Sequence, residues 1–250
     1  MKKVLLGLII IIALVLGGGF FALSTGKTVD VEYTEADYNS ALTKSSVNIT
    51  DIKEINLITL ANKNYTSTGE NQIDTRFSNA EMSAIIDKAN AEGGPISDFR
   101  VSFNGGDSGE ISFQLTETFV DFIKEQNMIS LPNASHAFNL KWLPVISAGD
   151  ISDTVINFIT NVAANKPVYA SGSLSRTSDK SVSVNITSLK VGQISMSAEV
   201  VARVETEVVN FVNGVLTSTN GFTIEELRVE DGALYYKGTL PAEIQGNKLN

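Results

Sequence analysis

Cysteine is absent from this 250-residue sequence, which also has a single histidine, a single tryptophan and five prolines against 19 glycines. Without cysteine there is no disulfide to stabilise the fold, so its stability must come from buried apolar area. The missing thiol also excludes a lipoprotein, because that lipid attachment requires a cysteine. One histidine without cysteine argues against zinc, and we predict no metal and no cofactor.

Basic residues are also few, since 19 lysines and arginines stand against 28 acidic residues and give a formal net charge of −9. Without Lys2 and Lys3 there are 17 basic and 28 acidic residues, a charge of −11. This balance disfavours nucleic acid as a partner, and it disfavours an anionic lipid surface as the partner of a whole face. Valine, serine and threonine are plentiful, which is typical of a strand-rich domain.

Charge is missing altogether from residues 4–23, a run of 20 apolar residues that follows Lys2 and Lys3. A helix of about 20 residues spans about 30 Å, the thickness of the hydrocarbon core of a bilayer. Because flanking lysines stay in the cytoplasm, the run predicts a single-pass anchor in the cell membrane with the rest of the chain exported. The alternative is a signal peptide cleaved at Ala22-Leu23-Ser24, although the run is longer than an ordinary signal core.

We predict four parts: an anchor over residues 1–24, a linker over 25–33, an extracytoplasmic domain over 34–244 and a polar tail over 245–250. Thr34 predicts the start of a short helix, and Ser78-Asn79-Ala80-Glu81 is a capping box for another. The composition of residues 47–60 favours strand, whereas the polar residues 62–71 favour a loop.

Two hairpins and three further helices are predicted along the rest of the domain. Alternating apolar residues on both sides of residues 104–109 indicate one hairpin, and Asp231-Gly232 marks the two-residue turn of the other. The apolar phase shifts at Thr187-Ser188, which indicates a β-bulge. Apolar residues recur at helical spacing in three segments, residues 116–123, 152–163 and 198–217, although β-branched residues weaken the last pattern.

No set of residues has the spacing of a catalytic site. Gly106-Asp107-Ser108-Gly109 matches the serine motif of trypsin-like proteases, but their histidine lies upstream whereas His136 lies downstream, and a hairpin turn explains these residues fully. A calcium site at Asn104, Asp107 and Glu110 would lack the alternating oxygen ligands of an EF-hand loop. The 28 acidic residues offer many carboxylate pairs for glycoside hydrolysis without singling one out. We therefore predict no catalytic residue and no enzyme.

Apolar side chains are the most conspicuous feature of the domain, because the helix stripes and strand faces carry more of them than a single-layer sheet can bury. One interpretation is an ordinary α+β core. The other is an α+β fold in which a curved antiparallel sheet wraps around a long helix and leaves a groove for an apolar ligand. The predicted groove residues lie on three helical stripes: Phe119, Phe122, Val155, Phe158, Ile159, Val204, Val208 and Phe211.

Several of these features occur together in one known family. They are the N-terminal run, the capped T/S-x-A-E helix starts, the hairpin over residues 96–115, and the block from Lys166 through Pro167-Val168-Tyr169 to the closing VEDGALYYKGTLP. Together they resemble the YpmS-like family of bacterial single-pass envelope proteins and, more distantly, the tubular lipid-binding (TULIP-like) superfamily. The resemblance covers most of residues 30–244. It implies a highly curved sheet around a long helix and a lipid-holding groove, and it transfers no binding residue position by position.

We expect a membrane-anchored extracytoplasmic protein that binds a lipid or another apolar ligand. The alternative is a non-catalytic cell-surface module that binds an envelope protein through an exposed sheet edge or loop. A third hypothesis, an exported hydrolase, has no residue pattern in its favour. The space between the 198–217 helix and the sheet discriminates between the first two, because a continuous void favours a ligand and a packed seam favours the module.

Overall fold

A computed structural model describes residues 26–50, 55–91, 93–118 and 166–246. The helices of this part of the chain are α1 (Glu35–Ser45), α2 (Leu57–Ala61), α3 (Asn79–Asn90) and α4 (Ala198–Ser218). The strands before the gap are β1 (Asn48–Thr50), β2 (Tyr65–Thr68), β3 (Asn71–Ser78), β4 (Ile96–Phe103) and β5 (Ser108–Leu115). Those after it are β6 (Pro167–Ser178), β7 (Ser181–Val191), β8 (Ile194–Ser195), β9 (Thr223–Glu230), β10 (Ala233–Leu240) and β11 (Glu243–Gly246).

The described strands form three sheets, and the fold is α+β with mainly antiparallel pairing. The largest sheet has the order β4-β5-β6-β7-β8 and is antiparallel throughout. The second has the order β3-β10-β9 and is also antiparallel. The third has the order β1-β11-β2, in which β1 runs parallel to β11.

Both predicted helix starts are confirmed. Thr34 and Asp37 form a capping box at the start of α1, and Ser78 and Glu81 form another at the start of α3. In both boxes the acidic side chain accepts the N–H of the cap residue. The Ser78 hydroxyl also accepts the N–H of Glu81, whereas the Thr34 hydroxyl donates to Asp37 Oδ2. The sequence Gly93-Gly94-Pro95 follows directly, and α3 ends at Asn90 before it.

Both hairpins and the bulge are also confirmed. Strands β4 and β5 flank the turn at residues 104–107, and β9 and β10 flank Asp231 and Gly232, whose φ angles are 51° and 73°. Two successive residues with positive φ suit a type I′ turn, which favours glycine at the second position. Between β6 and β7 the register passes from the pair Ser171–Ser188 to the pair Gly172–Ile186, so Thr187 is the extra residue of a bulge.

Two predictions for the first third of the domain are wrong. Part of the segment predicted as strand, residues 47–60, is instead helix α2, because the Asn56 side chain accepts the N–H groups of Ile58 and Thr59 and caps a helix. Part of the segment predicted as loop, residues 62–71, is strand β2, which pairs with β11 from the far end of the chain. Strand β11 extends to Gly246, two residues into the predicted polar tail.

One buried hydrophobic cluster of the core lies where the second half of α4 meets the β3-β10-β9 sheet. Its buried centre comprises Ala41, Ile73, Phe77, Val182, Ile224 and Tyr236, and Val212 and Leu216 of α4 pack against it. The turn between β6 and β7 joins the two larger sheets, because Arg176 Nε donates to Ile224 O and Ile224 N donates to Asp179 O, both at 2.7 Å.

The predicted anchor, residues 4–23, lies outside the described residues. None of the helices within residues 26–50, 55–91, 93–118 and 166–246 is long and apolar enough to cross a membrane.

Candidate functional site: an apolar groove

A cavity of about 420 Å³ lies between the middle of α4 and one face of the five-stranded sheet. We call it the groove, and we call the sheet face that lines it the inner face. The volume falls in the range of roughly 300–1,000 Å³ that is typical of small-molecule sites. The sheet contributes side chains from four strands: Phe99, Val101, Phe103, Ile111, Phe113, Leu115, Val168, Ala170, Leu174, Val184, Ile186, Leu189 and Val191.

The period-two alternation of the strands places these residues on one face. In β5, Ile111, Phe113 and Leu115 line the groove, while Ser112 between them is bonded on the outer face. The bulge at Thr187 matters here, because it brings Leu189 and Val191 back to the face that Val184 and Ile186 occupy. Without the extra residue, the two halves of β7 would present their apolar side chains to opposite faces.

Helix α4 covers the groove with Val204, Val208 and Val212, which are spaced four residues apart. Two polar side chains of this helix fix its rotation against β7. Glu205 accepts the N–H of Ile186 at 2.8 Å, and Asn213 bonds both the N–H and the C=O of Val182, at 2.8 and 3.0 Å. The helix therefore closes part of the β7 edge with side-chain hydrogen bonds while its valines face the cavity.

The opposite edge of the sheet is closed in the same way by α3. Asn79, Ser83 and Asp87, again spaced four residues apart, accept the N–H groups of Phe103, Val101 and Phe99 at 2.8, 3.0 and 2.9 Å. Met82 and Ile86 of the same helix line the groove. Helices thus cap both sides of the sheet, which protects the edges from pairing with another strand.

Coverage of the inner face by α4 is incomplete. Ile111, Phe113, Ala170, Val184 and Ile186 face the groove and yet remain half-buried. By contrast, Leu115, Val168 and Val191 are almost fully buried at the end of the sheet where β5 ends and β6 begins. Most of the half-buried residues of the inner face therefore lie in the middle of the sheet, and of those named only Phe113 is in register with the buried Val168.

Among the described residues, the polar ones that border the groove lie near the β4–β5 turn: Asp107, and also Glu110, Ser171 and Ser173, whose side chains alternate to the outer face. Asp107 Oδ1 accepts the N–H of Val229 at 3.0 Å, and Glu110 is paired with Lys27 at 3.1 Å, so both carboxylates have structural partners. Burial opposes ionisation of Glu110, but the hydrogen bonds from Lys27 and Tyr169 outweigh it and lower the pKa of the carboxyl. The ionised Glu110 carboxylate is thus held by Lys27 on the outer face of the sheet and does not face the groove.

The residues of the protease-like motif form and stabilise the turn between β4 and β5. Ser108 Oγ donates to Gly105 O at 2.8 Å, and Asp107 holds a φ of 59° in the turn between β4 and β5. His136 lies outside the described residues, as do five of the predicted groove residues: Phe119, Phe122, Val155, Phe158 and Ile159.

The remaining three predicted groove residues lie on α4. Val204 and Val208 line the cavity, whereas half-buried Phe211 is not among its lining residues and Val212 takes the corresponding position. Sequence reasoning found the alternating strand faces and expected a groove between sheet and helix, but it named residues of helical stripes alone as groove candidates. The signal was present, since every second residue of β5, and of β6 as far as Leu174, is apolar or glycine while most of the residues between them are polar.

Chemically, the groove offers a hydrophobic surface and dispersion contacts, without a cluster of polar groups at its centre. Within the described residues no group of three or more histidine, aspartate or glutamate side chains is arranged to hold a metal ion. Comparison of the chain with protein-family models, with characterised proteins and with solved structures finds no match. The resemblance to the YpmS-like and tubular lipid-binding families therefore stays a prediction.

Proposed function

We propose that this protein is a membrane-anchored extracytoplasmic protein that binds the acyl chain of a lipid, or a similar apolar ligand, in the groove between α4 and the five-stranded sheet. One observation carries the proposal. The groove encloses about 420 Å³ and its middle is lined by hydrocarbon that α4 leaves partly exposed. A monomeric protein rarely leaves such a continuous apolar face without an occupant.

Energy is available for such a ligand without polar recognition. At about 0.8 kcal/mol per buried CH₂, ten methylene groups would contribute on the order of 8 kcal/mol before the cost of ordering the chain. In the proposed arrangement the sheet holds one side of the acyl chain and α4 the other, which is the tubular geometry that the family resemblance implies. The closed edges of the sheet count against the alternative of a module that binds a partner by strand addition.

Native mass spectrometry of the full-length protein tests the proposal. The wild type, purified in detergent and loaded with palmitic acid, should retain bound ligand after detergent removal in the gas phase. Val184→Phe should lose most of it, because the added ring occupies the exposed middle of the groove. The matched control is Ser183→Phe, whose exposed side chain lies on the opposite face of β7, and it should bind like the wild type.

Two results would contradict the proposal. One is equal retention by both variants, which would place the ligand elsewhere. The other comes from a photo-crosslinker at Val208: capture of residues 119–165 of the same chain, with no lipid captured, would assign the groove to the interior of the protein.

A further inference from the structure

Residues 26–33, which we call the stem, are bound to the outer face of the five-stranded sheet. Lys27 Nζ donates to Tyr169 OH at 2.7 Å, lies 4.1 Å from the centre of that ring and pairs with Glu110. The N–H of Val29 donates to Ser112 Oγ at 2.9 Å, and the Val29 side chain is buried. The chain is therefore fixed to the sheet from its first described residues, although the sequence predicts a linker there.

Gly26 packs at one particular end of the sheet, where β6 begins and β7 has just ended. A Cβ at this position would lie 2.6 Å from Pro167 Cγ and 2.7 Å from Gly192 O. Only glycine allows so close an approach of the two backbones. The chain therefore leaves the fold toward its N-terminus from this end of the sheet.

The distance from this end to the predicted anchor is short. Leu23 is the last residue of the apolar run, and three residues of chain span at most about 10 Å when fully extended. The headgroup layer on each side of a bilayer adds about 5–8 Å to the hydrocarbon core. An anchor that ends at Leu23 would hold Gly26 within the headgroup layer or directly above it.

The charges near the stem suit that position. Lys166 adjoins Pro167, Lys190 pairs in register with Tyr169 across β6 and β7, and Lys27 lies over the Tyr169 ring. Acidic residues also lie at this end: Glu110 is paired with Lys27, Asp98 lies on the β4–β5 side, and Glu199 is in the first turn of α4, just after the strand that pairs with Lys190. Because Lys27 is paired with Glu110, Lys166 and Lys190 are the lysines at the exit of the stem that would attract anionic headgroups.

We infer that the end of the sheet that carries Lys166, Pro167, Lys190 and Gly192 rests on the outer leaflet of the membrane, with anionic phospholipid headgroups as its partner. The stem holds the domain in this orientation instead of letting it move freely on a flexible tether. The inference rests on the anchor in the proposed function and is independent of the ligand in the groove.

Fluorescence quenching in vesicles tests the orientation. Because the chain has no cysteine, Gln193→Cys and Lys180→Cys each create a single labelling site, and they lie just beyond opposite ends of β7, whose 11 residues span about 35 Å at about 3.3 Å per residue. The full-length variants are reconstituted in phosphatidylcholine vesicles, with and without phosphatidylglycerol, that contain a headgroup nitroxide lipid. A fluorophore at position 193 should be quenched several-fold more than one at position 180, and more strongly with phosphatidylglycerol.

Equal quenching at the two positions, in protein whose intact mass retains residues 1–24, would overturn the inference and leave the anchor and the ligand proposal untouched. An intact mass that begins at residue 24 or 25 would overturn it too, because no anchor would then hold the stem. Ligand retention in the mass spectrometer is read separately and does not depend on either outcome.

Variants of the stem test its role. Gly26→Ala should reduce the quenching at position 193 toward the value at position 180, because the methyl group displaces the stem from the sheet. Gly105→Ala is the matched control, since a Cβ there meets nothing within 4 Å, and it should change nothing. If Gly26→Ala does not fold, Lys27→Met removes the contacts to Tyr169 and Glu110 and should have the same effect. Unchanged quenching in a folded stem variant would overturn the role of the stem.

Discussion

Glu81 is a buried carboxylate that connects two helices and a strand. Only 4% of the residue is exposed, and its carboxylate accepts hydrogen bonds from Lys44 Nζ, Ser40 Oγ and the N–H of Ser78. Burial alone would raise the pKa of the carboxyl, but these donors together outweigh it and lower the pKa. One residue thus completes the capping box of α3 and holds α1 against it.

The lowered pKa of Glu81 predicts a pH-dependent contribution to stability. Because the pKa is lower in the folded state than in the unfolded state, the contribution is complete above the ordinary glutamate value of 4.5 and is lost as the pH falls through the folded-state pKa. Glu81→Gln should lower the free energy of unfolding by about 1–3 kcal/mol at pH 7. Urea unfolding between pH 3 and 7 should show that this deficit shrinks in acid.

The control for Glu81 is Glu243→Gln, which changes an exposed carboxylate and should alter the unfolding free energy little at any pH. A deficit for Glu81→Gln that stayed constant across the titration would mean that the shape of the side chain matters and its charge does not.

The edge of strand β4 depends on side chains of α3. Ser83 is fully buried, and its hydroxyl is the acceptor for the N–H of Val101. Ser83→Ala would leave that buried N–H without a partner, so we expect a loss of about 1–3 kcal/mol in the free energy of unfolding, measured in urea. Ser102→Ala, on the neighbouring residue of the same strand, should change it by no more than about 0.5 kcal/mol. Equal effects of the two variants would show that the N–H of Val101 does not depend on the Ser83 hydroxyl for its hydrogen bond.

Elements with a strong local pattern are the ones that the sequence predicts. Capping boxes at Thr34 and Ser78 and the turn Asp231-Gly232 are stabilised by bonds between residues a few positions apart, so they can be recognised without the fold. Strand β2 differs, because its polar residues gain their strand conformation by pairing with β11, more than 170 residues along the chain. No pattern within the sequence of β2 indicates that β11 is its partner.

Only part of the groove could be predicted from the sequence, because the rotation of α4 depends on contacts between distant segments. The spacing of apolar residues indicates that residues 198–217 form a helix, but valine-rich stretches offer two adjacent stripes, one through Phe211 and one through Val212. The choice between them is made by Glu205 and Asn213, whose side chains bond the edge of β7 and turn the helix. Those bonds join segments that are distant in the sequence, so periodicity alone does not reveal them.

At the scale of the whole molecule, the five-stranded sheet separates two environments. Its outer face is polar and carries the stem, with side chains such as Ser112, Tyr169 and Lys27 bonded to one another or to the backbone. Its inner face is apolar and lines the groove. Helices close both sides of the sheet with hydrogen bonds, so the exposed middle of the inner face is its main unsatisfied surface within the described residues. The fold therefore concentrates its binding capacity in one place.

A groove that awaits a ligand should cost the empty protein stability, and this gives a whole-molecule prediction. In protein freed of lipid, Val184→Phe should raise the melting temperature, because the ring covers apolar surface that water otherwise contacts, at about 25 cal/mol per Å². The same substitution should abolish the further rise in melting temperature that palmitic acid gives the wild type by mass action. Stability and binding would thus change in opposite directions, as is expected where a site is kept unfilled for function.

Ser183→Phe is again the control, because it adds the same ring to the exposed face of β7 and should neither raise the melting temperature nor abolish the effect of palmitic acid. If Val184→Phe instead destabilised the lipid-free protein by about 1–3 kcal/mol, the space beside Val184 would already be filled, since overpacking a complete core has that cost. The apolar face would then belong to the core, and a ligand would have to bind elsewhere.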